Sequence, residues 1–349
     1  TSHRPRASSA TGTTSPTSHT VNYGGSSVSF NFTGYNANEH WGQSVAGGGD
    51  IDGDGLDDIV IGGYGANGSN AGSALVVFGR NEIPGANTES IPTGSSNLQY
   101  LGAFRLNGYA FNQVGYSVAV IGDINGDGFS EFAVSAPDGM EDERGVVFVV
   151  FGGKDLVGEE VSAWSIGTAA MGEGGGFYLY GARNDDAGDS IAAAGDVNGD
   201  GYDDFVIGAP GNEESEGGRA YVLFGGTHWA VNKNVALDGV TGAQGFRLTA
   251  PMFGDYFGRS VGSAGDVNGD GYDDIVIGAE WAEVTSTGNE GKAFVVYGND
   301  FSGAVNHKGL LSSPETMNGS AGIDVMVGGL GDDTLNGNGG ADVMRGGSG

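Results

Sequence analysis

The sequence predicts an all-β protein, a β-propeller of four blades followed by a tail of different construction. Three observations predict it. The phrase Gly-Asp-Val-Asn-Gly-Asp-Gly-Tyr-Asp-Asp occurs at 195–204 and again at 265–274, with close relatives at 49–58 and 122–131. Its leading aspartates, Asp50, Asp123, Asp196 and Asp266, are 73, 73 and 70 residues apart. Around each copy the same short runs of β-branched and aromatic residues recur between Gly and Asp, and none keeps a 3.6-residue period.

Residues 1–20 are a polar arm rich in Ser and Thr, and 21–311 are assigned to the propeller. Each blade opens on a run of small and β-branched residues, as in Ser44-Val45-Ala46 and Ser117-Val118-Ala119-Val120. The acidic phrase follows. A second run comes after it: Ile59-Val60-Ile61, Phe132-Ala133-Val134, Phe205-Val206-Ile207 and Ile275-Val276-Ile277. The third runs are Ala74–Phe78, Val146–Phe151, Ala220–Phe224 and Ala293–Tyr297. A fourth run, Phe104-Arg105-Leu106, Phe177-Tyr178-Leu179 or Phe246-Arg247-Leu248, alternates apolar and polar residues as a half-exposed outer strand does. Four strands recurring four times are the content of propeller blades. Phe30-Asn31-Phe32 matches the fourth pattern but precedes the first blade, and the last blade runs out of pattern after Tyr297. The N-terminal strand is therefore expected to pair beside Ala293–Tyr297 and close the ring. From Gly319 the period drops to nine residues; 312–349 are assigned to a separate repeat region, and the polar stretch Ser302–Met317 reads as the junction that leads into it.

The 349 residues carry 44 acidic and 14 basic side chains, a net charge of −30. Nucleic acid and anionic membrane surfaces are poor partners for such a surface, whereas metal cations and basic partners suit it. At 38% hydrophobic the chain can bury a core, and its 71 glycines, without a Gly-X-Y period, mean many tight turns. No run approaches the roughly 18 apolar residues of a membrane span. The absence of cysteine removes thiolate chemistry and leans towards a bacterial source. The chain reads as a piece of a longer protein.

The acidic phrases carry the chemistry. In Asp50, Asp52, Asp54 and Asp58, oxygen side chains fall at positions 1, 3, 5 and 9, with Gly55 at position 6 and the Leu56 carbonyl at position 7. The other phrases supply Asp123, Asn125, Asp127, Phe129 and Glu131; Asp196, Asn198, Asp200, Tyr202 and Asp204; and Asp266, Asn268, Asp270, Tyr272 and Asp274. Alternating oxygens wrap a chain around a hard cation, and an all-oxygen set favours Ca²⁺ over Zn²⁺, copper or Mg²⁺. One such loop is also an ordinary acidic turn, but four in register are not. EF-hands need a Glu at position 12, where Ile61, Val134, Ile207 and Ile277 stand here. Dockerin modules pair two loops closely, with helices following.

With Phe257-Gly258 and Gly208-Ala209-Pro210, and weaker forms such as Trp41-Gly42 and Ala187-Gly188, the repeats resemble the FG-GAP repeats of integrin α-chain propellers. The resemblance covers about Val28 to Val305. It implies calcium loops between the first and second strands of each blade, on the lower face, with ligands docking on the opposite face. It departs from the integrin pattern in blade number. The tail resembles the repeats-in-toxin nonapeptide, which implies a parallel β-roll with Ca²⁺ held by Asp324 and Asp342 on one side and Asp333 on the other. Such repeats accompany type I secretion, so an extracellular or cell-surface location is expected.

No catalytic constellation stands out, and the expectation is not an enzyme. The five histidines fall outside any metal-ligand motif, and no nucleophile elbow or phosphate loop is present. The loops opposite the calcium phrases differ among blades and carry Tyr35, His40, Tyr64, Phe111, Met252, Phe253, Tyr256 and Trp281. Each either faces a ligand or packs under its own loop; Trp41, at the Phe position of the motif, is assigned to the core. His40, Tyr64, Tyr256 and Trp281 are the candidate ligand contacts. Two readings follow: an adhesion or surface-assembly module binding a protein or glycan, with self-assembly as a variant, or a propeller attached to a polysaccharide-active enzyme.

Overall fold

A computed structural model describes residues 31–34, 36–80, 90–92, 98, 102–140, 143–166, 175–211, 218–231, 234–240, 242–250, 254–283, 290–301, 307–308, 316–318, 325–327, 333–339 and 343–345. The described propeller residues form antiparallel sheets that follow one another as blades of a β-propeller. Blade 1 joins Trp41–Gly47, Ile59–Gly63, Ser73–Val77 and Ala103–Asn107. Blade 2 joins Val118–Gly122, Glu131–Ala136, Val146–Val150 and Phe177–Tyr180. Blade 3 joins Ser190–Gly195, Asp204–Ala209, Arg219–Leu223 and Gly245–Thr249. Blade 4 joins Phe257–Gly265, Asp274–Ala279 and Lys292–Val296.

Because a blade is packed on both sides, its middle strands are continuous apolar runs; all five residues of Val146–Val150 are buried. Alternate residues serve opposite seams. Val60, Val76 and Phe104 share a row and meet Phe132, Val134 and Phe148 of blade 2. Ala133, Val149 and Phe177 meet Phe205, Ile207 and Tyr221 of blade 3. Val206 and Val222 meet Ile275, Ile277 and Phe294 of blade 4. The first strands pack in series around the axis, linked by Ser44 Oγ accepting the Val118 N–H at 2.9 Å and Ser117 Oγ accepting the Ile191 N–H at 3.1 Å.

The outer strands of blades 1 and 2 are less exposed than their alternation suggested. Glu160–Ser162, from between the third and fourth strands of blade 2, adds in parallel to Ala103–Asn107. Asn234–Ala236, from the same place in blade 3, adds to Phe177–Tyr180. Arg105 is thereby buried and lies 3.7 Å from Glu160.

The ring closure expected of Phe30–Phe32 has no supporting strand pairing among the described residues. Phe30 lies outside the described residues, and Asn31–Thr33 pairs in parallel with Ser90–Pro92 instead of with the last blade. Ser90–Pro92 lies between the third and fourth strands of blade 1, so the pair repeats the added-strand arrangement just described. The other edge of Asn31–Thr33 has no strand partner among the described residues, and Lys292–Val296 pairs there with Asp274–Ala279.

The tail forms two parallel ladders, with an 18-residue step between the nonapeptide rungs and a 19-residue step from His307–Lys308 to the next rung. His307–Lys308, Val325–Val327 and Val343–Arg345 make one, and Thr316–Asn318 and Thr334–Asn336 the other. Met326 is fully buried between its neighbours, whereas Met344, in the last rung, is 50% exposed. Residues 1–20 lie outside the described residues.

Candidate metal centre and rim

Each acidic phrase folds as a tight loop between the first and second strands of its blade. The aspartate at position 1 organises it. Asp50 Oδ1 accepts the N–H groups of Gly53 at 2.7 Å and Asp54 at 3.0 Å, and its Oδ2 that of Gly55 at 2.9 Å. Asp123, Asp196 and Asp266 accept the same three amides in their own loops. The residue at position 7 donates its N–H to the position-5 carboxylate, from Leu56, Phe129, Tyr202 and Tyr272, at 2.8–3.1 Å.

The position-9 acids Asp58, Glu131, Asp204 and Asp274 are fully buried. Asp58 accepts the Ile51 N–H at 2.6 Å and, from beyond the third strand, the Gly79 N–H at 2.7 Å. Gly152, Gly225 and Gly298 bond Glu131, Asp204 and Asp274 in the same way. Burial pushes the Asp58 carboxyl up to about 6 and that of Glu131 up to about 9, the latter helped by the charges of Asp127 and Asp123. Burial also holds Asp204 well above the usual carboxylate range, and it raises Asp52, with Asp54 adding repulsion. Asp50, Asp52 and Asp58 bring oxygens within 4.8 Å of one another, as do Asp123, Asp127 and Glu131. Buried acids crowded so closely need a cation or protons, and the all-oxygen donor set fits Ca²⁺.

The spacing of alternate ligands left out positions 2, 4 and 8, which join the loop to the next blade. At position 2, Ile51, Ile124 and Val197 are buried, and their carbonyls accept the N–H groups of Gly153, Gly226 and Asn299 from the following blade. Position 8 latches back onto the preceding loop: Asp203 Oδ2 accepts the Asp123 N–H and Asp273 Oδ2 the Asp196 N–H, both at 2.9 Å. The Phe129 ring lies over Gly53, where φ is +74° and an added Cβ would stand 2.3 Å from the ring. Recurrence of Asp at position 8, as Asp57, Asp203 and Asp273, was the signal that could have revealed the latch.

In the tail, Asp333 lies just before Thr334–Asn336 and is partly buried; Asp324 and Asp342 lie outside the described residues.

At the opposite end of the blades, His40 precedes a first strand and Tyr64 follows a second. Their rings stack, centroids 4.6 Å apart and planes 5° apart, and Tyr116 lies 5.7 Å from Tyr64. Tyr256 and Trp281 occupy the corresponding rim of blade 4, 4.8 Å apart, with Trp281 46% exposed. Phe111 is exposed, and Tyr35, Met252 and Phe253 lie outside the described residues. The left-handed backbone at His40, φ 54°, recurs at Gln113, Asp186 and Tyr256, so it belongs to the repeat rather than to a ligand. Trp41 packs against Leu75, Val77, Leu98 and Ala103. Buried Asp185, which the spacing did not single out, accepts hydrogen bonds from Arg219 and Tyr221, both at 2.8 Å.

A family model of the FG-GAP repeat matches residues 114–150, 187–223 and 257–296, and one of the RTX calcium-binding nonapeptide repeat matches 318–349. Blade 1 lies outside these matches yet has the same strands and loop. The chain is 34% identical over 161 residues to integrin alpha-4 of Xenopus laevis, covering 45% of this chain and 13% of that protein. It is 31% identical over 195 residues to integrin alpha-V of Gallus gallus, covering 54% and 17%. With integrin alpha-PS5 of Drosophila melanogaster the identity is 32% over 174 residues, covering 48% and 15%. The chain therefore spans less than a fifth of the length of these relatives. Repeated strands, acidic loops and nonapeptide ladders agree with these matches: the chain carries FG-GAP repeats of an all-β propeller type, followed by RTX calcium-binding nonapeptide repeats.

Proposed function

We propose that this chain is an extracellular adhesion module whose calcium loops hold the blades while the opposite rim binds a protein or glycan. Calcium ligation is assigned to positions 1, 3, 5 and 9 of each loop, with the position-7 carbonyl, and in the roll to Asp324, Asp333 and Asp342. The contrast between the two ends of the blades carries the reading. The metal ends repeat one hydrogen-bond pattern four times, as a structural role requires. The opposite ends differ, with a His–Tyr stack on one blade and a Tyr–Trp pair on another. A recognition surface needs such differences, and exposed aromatics suit sugar faces and protein anchors. The RTX repeats accord with export through a type I system. No helix among the described residues is long and apolar enough to cross a membrane.

The test is adhesion to immobilised glycans and matrix proteins in calcium. Trp281→Ala and Tyr64→Ala are expected to weaken retention about tenfold while leaving the melting temperature in place. Asp200→Ala is expected to lower the melting temperature first. Unchanged retention by both rim variants refutes the assignment of the rim.

A further inference from the structure

One interface is used three times among the described blades, and the matching surfaces at the two ends of that row are open in part: on the leading face of blade 1 Ile61 is buried and Leu75 and Val77 pack with Leu98 and Trp41, while Val45 and Ile59 are exposed. In each seam the trailing face of one blade, turned to the blade that follows, meets the leading face of the next. On the trailing side Val76, Val149 and Val222 are completely buried, whereas Val295, at the same place in blade 4, is 49% exposed. In the calcium loops Ile51, Ile124 and Val197 are at most 2% exposed, and Val267 is 55% exposed. On the leading side Val118 and Ile191 are 4% and 7% exposed, and Val45 is 66% exposed. Phe132, Phe205 and Ile275 are at most 1% exposed, and Ile59 is 36% exposed.

The polar features of the seam also have open counterparts. Asp57 stands exposed at position 8 of blade 1, where Asp203 and Asp273 latch onto the preceding loop. An added Cβ on Gly122 or Gly195 would strike Asp203 or Asp273, while Gly265 in blade 4 has open space there. The outer strands tell the same story. Blade 4 has three strands among the described residues, and Asn31–Thr33 carries an added parallel strand as the fourth strands of blades 1 and 2 do.

We propose that the trailing face of blade 4 receives the leading face of blade 1 from a second copy of this chain, head to tail. The pairing continues an interface the chain already makes. Val267, Val276 and Val295 of one copy would cover Val45 and Ile59 of the other. Asp57 would accept the Asp266 N–H, and Asn31–Thr33 would lie beside Lys292–Val296. Two copies joined at both ends form a closed ring.

The 349-residue chain in Ca²⁺ is followed by sedimentation velocity through a dilution series. Dimers or longer species are expected. Val295→Glu and Val45→Glu each put a carboxylate into the apolar seam and are expected to weaken association about a hundredfold or more. Both side chains are exposed in the single chain, so melting in calcium should be nearly unchanged. If Val295→Glu melts early, Val267→Glu repeats the trailing-face test from the loop. An equimolar mixture of Val295→Glu and Val45→Glu is expected to recover pairs, because one copy keeps an intact trailing face and the other an intact leading face. A monomeric wild type overturns the proposal, as does one variant that still dimerises alone, which would mean like faces pairing. A monomer with Val267 and Val295 shielded from hydroxyl radicals also overturns it, since the ring would then close within one chain.

Discussion

Replacing Glu131 by Gln should stabilise the metal-free protein and destabilise the calcium-loaded one. Glu131 is fully buried, and its carboxyl is raised from 4.5 to about 9. A carboxyl with a higher value in the folded chain than in the unfolded one takes up a proton on folding at any pH between the two. Metal-free stability is then highest below about 4.5 and falls as pH rises towards about 9. At pH 7 this uptake costs on the order of 3 kcal/mol at about 1.4 kcal/mol per pH unit. Gln avoids it. Gln keeps an oxygen for the Ile124 N–H at 2.8 Å and forfeits the weaker contacts from Gly152 and Asn125, both at 3.4 Å, a loss of about 1 kcal/mol. In chelator at pH 7 the variant should lead by about 2 kcal/mol. Calcium at about a thousand times Kd stabilises an intact site by about 4 kcal/mol, so the wild type should then lead by about 2 kcal/mol. Urea unfolding at pH 7, with chelator and with calcium, reads both differences. A variant less stable than wild type by the same amount in both conditions would refute the reasoning, because Glu131 would then be neither a strained acid nor a ligand.

Two further outcomes follow, one from a seam and one from the rim of blade 3. Asp203→Ala removes the acceptor of the Asp123 N–H and should lower stability by about 1.5–3 kcal/mol, while Asp57→Ala, exposed at the open end, should stay within about 0.5 kcal/mol in dilute monomer; urea midpoints compare them. Arg219→Met strips buried Asp185 of its 2.8 Å ion pair and should cost about 3–5 kcal/mol at pH 7, less at acidic pH, where that carboxyl, already raised by burial, is protonated; thermal melts at both pH values decide it.

The blades and their loops were legible because periodicity reports them directly. Ligand oxygens must alternate around a cation, and strands packed on both faces must be apolar runs such as Val146–Val150. Pairing partners were not legible. Phe30-Asn31-Phe32 has the pattern of an outer strand, which states the kind of neighbour it suits and not which blade provides it. Glu160–Ser162 and Asn234–Ala236 are three-residue strands whose partners come from another blade, so no local signal marks them. The early rungs of the roll lack the Gly-Gly-x-Gly-x-Asp phrase: His307–Lys308 fell inside what looked like a junction, and Thr316–Asn318 straddles its end. At the metal loops the alternation of ligands drew attention to odd positions. The latch at position 8 was visible only as a repeated aspartate with no assigned task.

The apolar residue at position 2 of each loop changes how the molecule comes apart. Ile51, Ile124 and Val197 sit in the metal loop of one blade and in the hydrophobic seam of the next. Losing the cation therefore loosens the neighbour's packing, and undocking a blade exposes the loop before it. Repeats coupled only to their neighbours behave as a one-dimensional array, in which disruption spreads along the row from an end. Amide exchange in low calcium would then advance blade by blade as an ordered peeling, with the middle seam the last to open.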